Sequence, residues 1–423
     1  MTNRKEQFLD EVLQFIKAKE AKSVIYKELN YHIKMSKSEL VSKGISDNEA
    51  EEKAISQMGS PSELGTHFNK LYRPIFDWKL FGLFIVIISM GVLPHIYSTV
   101  YSENLLIKQV IYIVLGILVT ITVMFIDYRK VKRFGWFFLL AALGLLIVLT
   151  FFPNTVTVIN EVGLFTFFGF YLSGNSLYSL FLVFWAFYFS KEKPKLFVIA
   201  GVYLFSVFLL MRLPSLSDVF IYSILVFTLF ICSSKSKKAI YTTIGVILGL
   251  VITTASTFWF NTKEYQKDRL LGFLNPNEYS QGAGYMYIKL KELISKGCWF
   301  GNSGQANIDN GMTSDFAFAN ITFYFGWILS GFLFATILLF LYRMIVVSTS
   351  IKDRFGKLLI IGVCSLLSIQ VVYNVGMILG LFPIISMTLP FISYGLHSTV
   401  LNSILIGIVL SVYRKKPLMI SVE

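Results

Sequence analysis

The sequence predicts an all-α polytopic membrane protein: about ten transmembrane helices preceded by a small soluble helical domain. Three observations predict it. Hydrophobic residues make up 55% of the 423 positions and charged ones only 15%, with 40 Phe and 22 Tyr, and the mean hydropathy is +0.65. Soluble domains balance these classes far more evenly. Apolar runs of about 18 residues or more, long enough to cross hydrocarbon as helix, recur along the chain. The Lys and Arg residues between those runs gather in clusters, as they do in the loops of membrane proteins.

Residues 1–78 read as a helical domain on the cytoplasmic side. EQFLDEVLQFI sets Phe8, Leu9, Val12, Leu13 and Ile16 at helical spacing. A second helix is expected through VIYKELNYHIKMSKSELVSKG, stopping at Gly44. Ser46 then stands as an N-cap with Glu49 three positions on, a capping-box pattern. A break at Gly59–Pro61 introduces a last short helix. The pattern suits a small bundle that docks or regulates. The chain begins polar, without the apolar core of a cleavable signal peptide.

Residues 79–415 form the expected membrane domain, followed by a tail at 416–423. Spans are expected near 80–98, 105–126, 135–152, 163–189, 195–212, 215–232, 239–260, 315–342, 358–381 and 397–413. The fourth is long, and Gly163, Gly169 and Gly174 suggest a re-entrant or broken outer half. Five basic clusters fall on one side of this pattern: Arg129–Arg133, Lys191–Lys195, Lys235–Lys238, Arg343–Lys357 and Arg414–Lys416. The positive-inside rule makes that side cytoplasmic, with both termini there. The net charge of +13 is therefore a topology signal, and no nucleic-acid partner is expected. Cys232, Cys298 and Cys364 stand apart, with neither metal-ligand nor redox spacing.

The segment 261–314 is the long external loop, and its balanced charge and aromatic content suit an ordered cap rather than a linker. Asp315 stands at its end, where the eighth span begins. An acid at that boundary either caps the helix, as Thr313 or Ser314 equally would, or serves chemistry on the outer face.

Four stretches, in order, resemble the SEDS family (shape, elongation, division and sporulation) of FtsW, RodA and SpoVE proteins. They are LIKQVIYIVLGILVTITVMFIDYRKVKRF, RLLGFLNPNEYSQGAGY, TSDFAFANITFYFGWILSG and NVGMILGLFPIISMTLPFISYG, and the likeness covers roughly residues 80–415. The resemblance implies a peptidoglycan glycosyltransferase that polymerises lipid II on the outer face of the bacterial cytoplasmic membrane, beside a class B penicillin-binding protein. It places the family's essential acid at Asp315, as general base. Arg269 would stabilise the departing undecaprenyl diphosphate, with Lys267, Lys289 and Arg212 as weaker candidates. Asn374 and Ser393 lie in the fourth stretch and are substrate-binding candidates, although helix packing explains Asn374 equally well. A divalent cation, Mg or Mn, bridging Asp315 and the diphosphate is compatible with the sequence and not required by it. No His/Asp/Glu cluster has metal-ligand spacing, and His32, His67, His95 and His397 stand singly.

The sequence also departs from that family. Phe323 and Tyr324 replace its Glu-Glu pair, and Gly174–Leu177 replace its Gln-Pro-Ser-Glu. Pro-Asp-Leu-Gly-Thr becomes Pro214–Asp218, with the acid moved three positions along, and Leu396 and His397 follow Gly395. Two other functions stay open on these grounds: a catalytically silent scaffold of wall synthesis, and a lipid-precursor flippase.

Overall fold

The computed structural model describes residues 4–96, 102–151, 156–159, 162–167, 170–172, 174–213, 216–233, 264–302 and 315–419. The chain divides into two compact units, Met1–Phe76 with Tyr413–Glu423, and Asp77–Val412.

In the first unit the helices run Arg4–Gln14 (α1), Lys19–Ser42 (α2), Asp47–Gln57 (α3) and Pro61–Leu71 (α4). Their apolar faces meet in a core of Phe8, Leu9, Val12, Ile16, Ile25, Leu29, Ile33 and Tyr72. The expected stop holds: Gly44 takes φ +87°, a left-handed conformation that suits glycine. Ser46 is the N-cap of α3, but its hydroxyl caps no backbone N–H. It donates instead to the Glu49 carboxylate at 2.9 Å, so the capping box does not close.

Among the described residues, the second unit is helical apart from one small sheet. Five helical stretches, Trp78–Ile96, Leu105–Phe125, Ala317–Thr349, Arg354–Ile378 and Leu396–Arg414, are long and apolar enough to cross a membrane. Four shorter apolar helices, Gly135–Phe151, Leu177–Phe189, Leu196–Leu210 and Ser217–Ser233, lie at other expected spans. The seventh expected span, 239–260, and the cluster Lys235–Lys238 fall outside the described residues.

The fourth span is not helical in its outer half, in line with the break expected there, and it forms strands instead. Its helix is only Gly174–Phe189. The residues before it pair as an antiparallel three-stranded meander: β1 Val156–Ile159, β2 Val162–Phe167 and β3 Phe170–Leu172. Val156 is opposite Phe165, which is opposite Leu172. Short runs of β-branched and aromatic residues favour a strand when the segment is too brief for a stable helix. The segment expected as the external loop carries two helices where it is described, Glu264–Leu274 and Tyr285–Ser295.

The end of the bundle carrying the basic clusters is tied by charge. Asp77 is the N-cap of the first membrane helix and accepts the Leu80 N–H at 3.0 Å. The same carboxylate pairs with Arg343 of Ala317–Thr349 at 2.9 Å, with 1% of the Asp77 side chain exposed. Arg354 donates to the Ser233 carbonyl at 2.7 Å and to that of Lys191 at 3.2 Å, joining two helix ends. Asp353 accepts from the Gly356 N–H at 2.7 Å and from the Tyr128 hydroxyl at 3.3 Å. Charges counted as topology signals in the sequence thus also satisfy helix ends that lipid leaves without partners.

Removing Arg343 would strand a buried carboxylate. Arg343→Met is expected to destabilise the protein by about 2–3 kcal/mol, below the figure for a fully buried pair because the guanidinium keeps some solvent. The measurement is thermal unfolding in detergent. The double variant Asp77→Asn/Arg343→Met should regain part of the loss, and equal melting of wild type and single variant would count against the pair.

Candidate functional site

The helix Ala317–Thr349 breaks at Gly326, which takes φ 88° and ψ 170°. A break inside a membrane helix frees backbone groups that lipid cannot satisfy. Here the external segment supplies the partners. Trp327 N–H donates to the Cys298 carbonyl at 3.1 Å, Ile328 N–H to that of Trp299 at 3.3 Å, and Asn302 N–H to that of Phe323 at 3.0 Å. Two glycines permit the crossing. A Cβ on Gly326 would lie 2.3 Å from the Trp299 carbonyl oxygen, and one on Gly301 would lie 2.2 Å from that of Tyr324. The Ser330 hydroxyl donates to the Gly326 carbonyl at 3.1 Å and lies 2.9 Å from the Thr322 hydroxyl. Phe323 and Tyr324 sit just before the break, their rings edge to face at 5.0 Å. Where the resemblance had acids, this chain places an aromatic pair.

Asp315 stands at the start of the same helix. The N-cap position is Phe316 rather than Asp315, and no side chain caps it. The Asn374 amide holds Asp315 from behind: Nδ2 donates to the Asp315 carbonyl at 2.7 Å and to the Met387 carbonyl at 2.6 Å. Asn374 is fully buried, so it clasps the acid's backbone to the turn after its own helix. From that turn the Ser386 hydroxyl donates to the Asp315 carboxylate at 3.3 Å. The turn is itself well fixed. The helix Arg354–Ile378 ends in a Schellman motif, with Leu381 N–H on the Gly376 carbonyl at 2.8 Å and Gly380 N–H on that of Met377 at 3.1 Å. Phe391 takes φ +67°, and its ring is wedged against Phe84 at 5.4 Å and Phe340 at 6.2 Å. A bulky residue in that conformation persists only where packing over-determines it.

The expected cations lie on the outer segment. Arg269 and Lys267 are exposed on Glu264–Leu274, and Lys289 is half-buried on Tyr285–Ser295. Tyr287 connects this layer to the turn, its hydroxyl accepting the Ile384 N–H at 2.7 Å. Burial pushes the Tyr287 hydroxyl's pKa up, against the Ile384 N–H and the nearby Arg269 charge. Arg212 is exposed and stacks over Phe208 at 5.4 Å. Ser393 corrects its expectation: only 1% exposed, its hydroxyl accepts the Leu389 N–H at 2.8 Å and serves its own turn. The next residue, Tyr394, packs against His95 at 5.3 Å and Tyr112 at 5.6 Å.

Sequence reasoning missed a polar cavity inside the helices. Tyr178, Gln370, Ser386, Thr388, Ser398 and Asn402 line it, so it shares Ser386 with Asp315. Gln370 and Asn374, and Ser398 and Asn402, are polar pairs four residues apart in apolar helices. That spacing was a readable sign of one polar face. Ser386 carries no such sign, because its partner is 71 residues away. Among the described residues no group of three or more His, Cys, Asp or Glu is placed to hold a metal ion.

The FtsW/RodA/SpoVE family model, described as a cell cycle protein, matches residues 71–417. Stage V sporulation protein E of Bacillus subtilis is 30% identical over 175 residues, 40% of this chain and 48% of that protein. The probable peptidoglycan glycosyltransferase FtsW of Geobacter metallireducens is 28% identical over 323 residues, 72% of this chain and 84% of that one. The chain thus spans about half the length of the first relative and most of the second. Among solved structures, a chain from a peptidoglycan synthase complex that coordinates polymerization and crosslinking aligns with a TM-score of 0.69 at 23% identity, covering 81% of this chain and 98% of that one. The rod shape determining protein RodA of Thermus thermophilus aligns with a TM-score of 0.60 at 20% identity, covering 81% and 97%. At these identities the structures speak for the fold, while the family match extends over most of the chain. This protein belongs to the FtsW/RodA/SpoVE family.

Proposed function

We propose that the protein is a peptidoglycan glycosyltransferase that polymerises lipid II in cell-wall synthesis, with Asp315 as general base. The observation that carries the assignment of the base is the clasp: an acid at the start of a broken membrane helix, held by Asn374 and touched by Ser386 beside a polar cavity. Family membership and relatives named as peptidoglycan glycosyltransferases support the reaction class.

In this reaction the acceptor sugar's hydroxyl oxygen attacks the anomeric carbon of the donor. Its proton passes to the Asp315 carboxylate. The new glycosidic bond forms as the bond to undecaprenyl diphosphate breaks, and the diphosphate leaves with the electron pair. Arg269 supplies positive charge to that leaving group, with Lys267 and Lys289 adding to the field of the outer segment. Arg212, stacked on Phe208, suits an interfacial anchor better.

The basic clusters support cytoplasmic termini and an external face for Asp315. A crosslinking transpeptidase, a class B penicillin-binding protein, is the proposed partner. Support for it comes from the fold shared with a chain of a complex that couples polymerization to crosslinking. The N-terminal helical unit is proposed as a cytoplasmic docking or regulatory module.

The test is lipid II polymerisation by purified protein with its transpeptidase. Asp315→Asn and Asp315→Ala should each lower glycan formation by about 10²-fold or more, the lower range for loss of a general base. Undiminished polymerisation by either variant would remove Asp315 from the chemistry. No glycan from folded, partner-bound wild type would leave a scaffold instead.

Asn374→Leu keeps the volume and removes the clasp, leaving two buried carbonyls without their donor. It is expected to cost about 1–3 kcal/mol of stability and to lower turnover more than lipid II binding. Wild-type turnover at equal folded concentration would show that Asn374 only packs.

A further inference from the structure

Several cations at the basic end of the bundle have structural partners. Arg343 pairs with Asp77, and Arg354 holds the carbonyls of Ser233 and Lys191. Lys191 lies over the Phe187 ring at 4.8 Å and the Trp136 ring at 5.3 Å. The turn between the helices Ser102–Phe125 and Gly135–Phe151 is different. Its short helix, Tyr128–Arg133, carries Arg129, Lys130, Lys132 and Arg133, and two of these are committed. Arg129 lies on Asp127, with Nε at 3.1 Å and Nη2 at 3.0 Å from the carboxylate oxygens. Lys132 lies over the Phe355 ring at 5.8 Å. Lys130 and Arg133 are exposed on the other side, one turn apart, and among the described residues neither pairs with a carboxylate.

Those two open onto a cavity of about 450 Å³, lined with them by Asp127, Arg129 and Phe134. Small-molecule sites run from roughly 300 to 1,000 Å³. Three cations and one acid form the wall, and Arg129 already holds the acid, so the space favours an anion. The frame is fixed from behind. The Tyr128 hydroxyl donates to Asp353, its ring stacks on Phe355 at 6.1 Å, and the Ser411 hydroxyl donates to the Ile126 carbonyl. Lys and Arg near helix ends reach for water wherever they occur. Two uncommitted cations on a fixed concave surface are a narrower condition. The last wall is apolar: Phe134 is 58% exposed, and Phe137, 63% exposed, follows on the next membrane helix. A soluble anion matches the cations alone. An anionic phospholipid matches both walls, with its phosphate on the cations and its acyl chains along the Phe134 side.

We infer that this turn is a binding site for the headgroup of an anionic phospholipid in the leaflet that meets the basic end of the bundle. Arg133 offers the phosphate a planar fork and Lys130 a point charge. Arg129 keeps Asp127 from repelling the ligand. The site lies on other elements than Asp315, and its occupancy is read without any glycan being made.

The test is binding of phosphatidylglycerol to the full chain in neutral detergent, followed by native mass spectrometry. Phosphatidylcholine, with the same phosphate but no net charge, is measured beside it. Wild type should hold phosphatidylglycerol about thirtyfold more tightly, the scale of two cations near an anionic group. Lys130→Gln and Arg133→Gln should each weaken phosphatidylglycerol about fivefold. Lys132→Gln removes the same charge from the same helix and should stay within about twofold of wild type. Equal losses in all three variants would reduce the cluster to diffuse surface charge and overturn the site. Equal retention of the two lipids by wild type, a comparison that needs no variant to fold, would overturn it as well. The last arm is inorganic phosphate at millimolar concentration, with chloride at equal ionic strength as its control. Phosphatidylglycerol retained against both supports a lipid site, whereas displacement by phosphate alone would make the occupant a soluble anion and overturn the lipid assignment.

Discussion

A helix that breaks inside a bilayer must find new partners for the backbone groups it frees, and water is not there to serve. At Gly326 those partners are the carbonyls of Cys298 and Trp299 and the N–H of Asn302. The 298–302 segment is therefore stitched into the middle of a membrane helix instead of lying over it. The stitch exists because two backbones cross where Gly301 and Gly326 carry no Cβ. One side of it is the short helical stretch that begins after Asp315, and the other is the layer that bears Arg269 and Tyr287. The stretch that begins after Asp315 is thus fixed by one crossing of main chain, with side chains such as Asn374 and Ser386 refining the result.

Ser386, which touches the Asp315 carboxylate, belongs to a cavity lined by hydroxyls and amides, with the buried Asp218 behind Tyr178. The pair Phe323 and Tyr324 does not weaken this arrangement. Tucked against the break, the pair fills space at no cost in buried charge.

Much of this was legible in the sequence because the signals are local. Helix lengths, Gly44, the break before Pro61 and the basic clusters each act within a turn or two. Asp315 stood out by its boundary position, and the family resemblance supplied its role. What escaped had long-range causes. The outer half of the 163–189 span read as re-entrant or broken, but that it pairs as strands was not read, because apolar content alone does not separate a strand from a span. Ser386, Tyr287 and the Tyr178–Asp218 pair depend on contacts between distant segments. The carboxylate at Asp218 looked merely displaced in sequence, and only the packing of two helices shows that it meets a phenol. Ser393 read as an outward polar group, yet its own turn needed a cap.

The most direct test of the link from fold to function is the rate of lipid II polymerisation by Gly326→Ala, measured beside wild type at equal folded concentration with the transpeptidase present. A methyl group at Gly326 meets main chain that has no rotamer to give way, so the stitch must open. The structure predicts a loss of glycan formation of about tenfold or more, the scale of a misplaced catalytic group. Wild-type turnover by a folded Gly326→Ala protein would contradict it, and Asp315 would then owe its position to something other than the crossing.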